Sequence, residues 1–214
     1  MGLAIWANRI AEQVQKHSVM QKHRDIYLSL DIEANGLIPG PYAMLSLGAA
    51  AFDIKGRLLG TFSRNLLPLE GSSSHPDTDA FCAKNPEAYA ATQIDRRDPA
   101  EAMRDYDAFL RGLPKRPVLM GYPAAYDHMW HSWYLHKFVG SDYCGHSSLD
   151  LKTYACSLLR VPFRQAAKRE FPTHWFDGTL FHDHVARTDA IGQGMMGIHM
   201  IRGHLGLAPI AREK

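Results

Sequence analysis

The segment YLSLDIEANGL, residues 27–37, constrains the fold more than any other. Ile26, Leu28 and Leu30 alternate with their neighbours, the period of a β-strand. The alternation then runs straight into Asp31 and Glu33, with Gly36 just beyond. Buried strands rarely end on two acids. In a strand, residues two apart share a face, so both carboxylates project together. Like charges that close repel and raise at least one pKa, whereas a bound divalent cation favours both being ionised. Oxygen-only ligands suit Mg²⁺ or Mn²⁺. About one D-x-E is expected by chance in a chain of ordinary composition. Two solvated carboxylates at a strand end therefore remain the alternative.

The rest of the chain sets that strand in an α/β frame. YAMLSLGAAAF and RLLGTFSRNLL read as strands two and three, joined by the turn DIKG at 53–56, which predicts an antiparallel hairpin. Residues 69–78 have the composition of a loop. FCAKNPEAYAATQ reads as a helix weakened by Pro86. RDPAEAMRDYDAFLRGL reads as a strong one, with Asp98 as N-cap, Pro99 at N1 and Glu101 completing a capping box. PVLMGY is a fourth strand, and DHMWHSWYLHKFV and LDLKTYACSLL are helices, the second with a short strand before or within it. A last helix spans about Ala186 to Leu205, with Ile191, Met195, Ile198 and Leu205 along one stripe. A meander followed by strands alternating with helices predicts one α/β domain with a mixed sheet.

Composition narrows the function classes. The chain has 214 residues, 46% hydrophobic and 21% charged, enough to bury a core without disulfides. Its net charge of +2 is lower than that of a protein that coats duplex DNA. The three cysteines are odd in number and far apart, which argues against a zinc motif or a disulfide scaffold and for a cytoplasmic setting. No apolar run approaches membrane-spanning length. Residues 1–24 read as an amphipathic helix or extension, with Leu3, Trp6, Ile10 and Val14 at helical spacing, and residues 25–214 as the single domain.

Two later segments share the acidic character. In GYPAAYDHMWHSWYL, Asp127 follows a predicted strand and opens a helix, where an N-cap role is the alternative. In HDHVARTDAIGQG, His184 stands five residues before Asp189, which a helix dipole alone could also favour. DIEANGL, the Tyr126–Asp127 pair and HVARTDAIGQ together resemble, in order and approximate spacing, the three motifs of the DEDDh branch of the DnaQ-like 3′–5′ exonucleases. The resemblance spans about residues 25 to 207. Two positions depart from the pattern: Pro123 stands where that family often has Asn, and Asn35 where many members have Thr. The region from Asn65 to Ala91 looks like a bacterial exoribonuclease-like subgroup.

This resemblance implies a ribonuclease H-like α/β fold, its first three strands antiparallel and the later ones parallel, flanked by helices. It implies that Asp31, Glu33, Asp127 and Asp189 hold two Mg²⁺ or Mn²⁺ ions, with His184 as general base. Asn35, Gly36 and Leu37 would line the terminal-nucleotide pocket. Arg187, standing between His184 and Asp189, is placed to bind substrate, with pairing to an acid as the alternative. The expected partners are single-stranded RNA or DNA 3′ ends and no membrane, and homodimers are common among small relatives of this kind. Tyr126, Trp130 and Trp133 read more readily as core than as stacking platforms. Arg160, Arg164, Lys168 and Arg169 suit either a phosphate track or a solvated face. Two rival readings are an all-helical HD-type phosphohydrolase, suggested by HDH at 182–184, and a ribonuclease H-like binding module without catalysis.

Overall fold

The computed structural model describes residues 24–176 and 185–210. The proposed helix within residues 1–24 and His184 therefore lie outside the described residues, Arg24 apart. Strands β1 (Ile26–Ala34), β2 (Met44–Asp53) and β3 (Leu58–Asn65) form an antiparallel meander. Strands β4 (Val118–Gly121) and β5 (Ser148–Asp150) add in parallel on the other side of β1, giving the order β3-β2-β1-β4-β5. The predicted mixed sheet is thus present. Asp53 closes the β2–β3 turn, its Oδ1 accepting the amides of Lys55 and Arg57 at 2.9 and 3.0 Å. No helix among the described residues is long and apolar enough to cross a membrane.

Helices cover both faces. On one face, Ile26, Leu28, Leu30 and Ile32 pack with Met103, Tyr106 and Leu110 of α3 (Pro99–Gly112) and with Trp130, Tyr134 and Leu135 of α4 (Ala124–Phe138). Asp98 caps α3 as expected, its Oδ1 accepting the amides of Ala100 and Glu101. On the other face, Tyr27, Ala50 and Phe52 lie under α5 (Leu151–Leu159) and α6 (Ala186–His204). Tyr27, Ser29, Asp31 and Glu33 alternate onto that same face, so β1 carries buried Tyr27 and Ser29 under α6 and acids where α6 begins.

The structure corrects three expectations. The loop assigned to 69–78 gives way at Pro76 to α1 (Pro76–Lys84), because His75 serves as N-cap and Pro76 suits the first helical position. The single helix predicted over 81–93 is two: α1 ends at Asn85, and α2 (Pro86–Thr92) starts on the proline. Pro86 has no amide to continue the first helix, and Asn85 Nδ2 donates back to the Phe81 carbonyl at 3.0 Å. In α6, only Ile198 of the proposed stripe is fully buried. The face against the sheet is built instead from Ala190, Gln193, Gly194 and Gly197.

That small-residue face exists because α6 lies almost on the backbone of the sheet. A Cβ on Gly48 of β2 would sit 2.0 Å from the Ala186 carbonyl oxygen. One on Gly194 would sit 2.3 Å from the Phe52 ring. The far end of α6 is tied as well, with buried Arg202 donating through Nη1 to the Ile54 carbonyl at 2.8 Å. Gly48 is the register partner of Asp31, so the contact with Ala186 sets the start of α6 beside the first acid. Gly48→Ala should therefore push the helix start off the sheet. The expected cost is about 1–3 kcal/mol of stability, read from urea unfolding. Divalent-cation affinity should weaken in the fraction that folds.

Candidate active centre

Four of the five predicted catalytic residues can be placed. Asp31 and Glu33 are half-buried at the end of β1, and Asp189 is buried in the first turn of α6. Each offers a carboxylate oxygen, and the three oxygens lie within 4.8 Å of one another. The pairing of β1 with β2 shifts register between Glu33 and Ala34, an irregularity that ends the regular ladder beside the acids. Gln193, one turn beyond Asp189, fixes the helix to the strand. Its Nε2 donates to the Leu30 carbonyl at 2.8 Å and to Ser29 Oγ at 3.2 Å.

Asp127 reaches the centre from the β4 side and is not one of the three clustered residues. The ladder between β1 and β4 ends at Ser29 and Met120. Beyond it, Asp127 Oδ1 accepts the amide of Ile32 at 3.1 Å, which places the carboxyl between the backbones of Asp31 and Glu33. Its position is the first turn of α4 and not the N-cap, which is Pro123. Pro123 supplies no side-chain cap, and Asp150 at the tip of β5 takes over that role. Asp150 Oδ2 accepts the Ala124 amide at 2.8 Å, while its Oδ1 accepts the Thr153 amide of α5 at 2.7 Å. One carboxylate thus caps two helices and holds Asp127 in place.

Burial, and then the negative charge of Asp31 and Glu33, pushes the Asp127 carboxyl well above the usual carboxylate range. Four acids converging from three elements are unfavourable together when all are ionised. A cation between them offsets that repulsion, and an all-carboxylate donor set fits a hard divalent ion. These residues fit such an ion by the chemistry of their donors.

The predicted substrate residues divide by environment. Asn35 is engaged in the backbone: its Oδ1 accepts the Ala43 amide, and its carbonyl accepts the His75 amide. Gly36 is buried, and its carbonyl accepts the Tyr126 hydroxyl at 2.9 Å. Leu37, next to Gly36, is 57% exposed, and Arg187, two residues before Asp189, is exposed. Trp130 is fully buried, Tyr126 and Trp133 partly so, in line with core roles. Residues that sequence reasoning passed over also shape the site. Glu33 forms one wall of a small cleft whose other side is Phe81, Cys82, Asn85 and Tyr89 of the α1–α2 region. Gln193 lay inside a recognised motif without a role. Asp150 had one visible signal, an acid directly before a helix.

Comparisons with known proteins can now be set against this geometry. No family model matches the sequence. The chain is 27% identical over 173 residues to the 3′–5′ DNA exonuclease Cap18 of Escherichia coli, covering 77% of this chain and 88% of that protein. Its structure is similar to the nuclease domain of 3′hExo, a DEDDh family member bound to rAMP, with a TM-score of 0.62 and 13% identity over 90% of this chain and 98% of that one. It is also similar to E. coli exonuclease I in complex with a dA16 oligonucleotide, with a TM-score of 0.59 and 14% identity over 84% of this chain and 41% of that one. The architecture is thus that of the ribonuclease H-like exonucleases. In sequence the chain is similar to a 3′–5′ DNA exonuclease, and in architecture to DEDDh exonucleases.

The charge balance gives a test at Asp127. A carboxyl that is harder to ionise folded than unfolded costs stability as pH rises through its folded pKa. Asp127→Asn removes that cost and keeps an oxygen for the Ile32 amide. In metal-free protein at neutral pH, the thermal midpoint should rise, by about 2–4 °C for each ~1 kcal/mol relieved. Adding a divalent cation should raise the wild-type midpoint further than that of the variant.

Proposed function

We propose that this chain removes nucleoside 5′-monophosphates one at a time from the 3′ end of single-stranded DNA or RNA, in the cytoplasm, using two Mg²⁺ or Mn²⁺ ions. The observation that carries the reading is the convergence of Asp31, Glu33 and Asp189 within 4.8 Å, with Asp127 bonded to the strand between the first two. Held by these four carboxylates, the ions would stabilise charge on the entering and leaving oxygens and lower the pKa of the attacking water. His184, five residues before Asp189, takes the water's proton, a task for which an imidazole side chain is suited at neutral pH. Exposed Leu37 meets the terminal nucleotide, while Asn35 and Gly36 hold the loop that presents it. Arg187 offers its charge to a phosphate. Reading an end requires contact with sugar, backbone and base faces and no sequence code. The name of the Cap18 relative makes DNA the first substrate to test.

The five-stranded sheet removes the all-helical HD-type alternative. The binding-module alternative becomes an outcome of the assay. DNA and RNA oligomers labelled at the 5′ end, incubated with Mn²⁺ or Mg²⁺, should shorten in a ladder from the 3′ end. EDTA and Asp31→Asn should stop the ladder. His184→Ala should slow it by about 10²–10⁴-fold. Internal cutting, or metal-independent cutting, would contradict the proposal, and binding without any cutting would favour the module.

A further inference from the structure

Outside the acidic centre, one buried cluster combines nitrogen, oxygen and sulfur donors. His131 lies in α4, one turn beyond Asp127, and Asp142 and Cys144 lie in the segment that leads to β5. One ligand atom from each of the three falls within 4.8 Å of the others. The His131 and Asp142 side chains are 0% and 3% exposed, and Cys144 is buried. Asp142 Oδ1 accepts the amides of Cys144 and Gly145 at 2.8 and 3.2 Å and faces His131 Nε2 at 3.2 Å. Its other oxygen, Oδ2, is buried with no hydrogen-bond partner among the described residues. A buried carboxylate oxygen without a donor is costly and calls for an explanation. The proposed exonuclease reaction uses none of these three side chains.

We propose that His131, Asp142 and Cys144 form a second metal site, separate from the four-acid centre, that takes a borderline-soft divalent ion of the Zn²⁺ type. The donor set distinguishes the two: a thiolate and an imidazole favour zinc, whereas carboxylates alone favour Mg²⁺ or Mn²⁺. The spacing agrees. Zinc bonds of about 2.0–2.1 Å to nitrogen and oxygen give a tetrahedral ligand–ligand edge of about 3.3 Å, close to the 3.2 Å between Nε2 and Oδ1. The other imidazole nitrogen, Nδ1, lies 3.2 Å from the buried Tyr106 hydroxyl, which orients the ring as metal-binding histidines are commonly oriented. On binding, Cys144 gives up its thiol proton to solvent, and the imidazole keeps its proton on Nδ1, facing Tyr106. The ion would staple α4 to the 142–144 segment.

Cobalt(II) provides the test, because a cobalt–thiolate bond has a charge-transfer absorption that carboxylates do not give. Full-length protein stripped with a chelator should develop this band on titration with Co²⁺, saturating at one equivalent, and Zn²⁺ should bleach it. The band should persist in Asp31→Asn and in Cys82→Ser, the latter because Cys82 is the thiol that lines the Glu33 cleft. It should vanish in Cys144→Ser, with folding checked by circular dichroism. Asp142→Asn should keep the band but weaken Co²⁺ affinity by at least about tenfold. No band in the wild-type protein, or a band that survives Cys144→Ser, overturns the proposal. Neither result depends on nuclease activity, so the second site and the exonuclease reading stand or fall separately.

Discussion

The close approach of two backbones, Gly48 of β2 and Ala186 at the start of α6, is the contact on which the acidic centre depends. The first two acids come from one strand and need nothing but the alternation of β structure to lie together. The third comes from a helix more than 150 residues later in the chain. It arrives beside them because Gly48 leaves room for the helix start directly over the partner of Asp31, and because Gln193 then locks the next turn to Ser29 and Leu30. Packing and hydrogen bonding oppose the repulsion that would drive the acids apart. The scaffold contacts themselves thus bring the three carboxylates together.

Asp127 is held in a different way. It borrows a main-chain amide at the point where β4 no longer reaches β1. The shortness of β4 is thus part of the site, since a longer strand would claim that amide for the ladder. Burial and the charges of Asp31 and Glu33 push its carboxyl well above the usual carboxylate range. In the exonuclease reading proposed above, a divalent cation bound among the acids would offset the cost of ionising it.

Much of the fold was legible in the sequence because its signals are local. The alternation into Asp31 and Glu33 marked β1. The DIKG turn marked the hairpin, and Asp98 with Pro99 marked the start of α3. Those features act within a few residues of where they are read. The break between α1 and α2 had its signal in Pro86, but the helix start at Pro76 was hidden in a stretch of loop composition. The buried face of α6 was misread for a physical reason. Where the helix lies closest to the sheet, Gly194 and Gly197 make the contact, and of the predicted stripe Ile198 is fully buried while Ile191, Met195 and Leu205 pack against the core only partly buried. Asp31, Glu33 and Asp189 were singled out by residue type and spacing. Their mutual distance, and the roles of Gly48, Gln193 and Asp150, depend on tertiary contacts that no local pattern encodes.

Asp150 ends the shortest strand of the sheet, and its two oxygens are committed to two different helices. Loosening that side chain would set the starts of α4 and α5 adrift at once, and α4 carries Asp127 within its first turn. A lesion at the sheet's far margin, touching neither nucleotide nor cation, can therefore mimic the loss of an acid at the heart of the molecule.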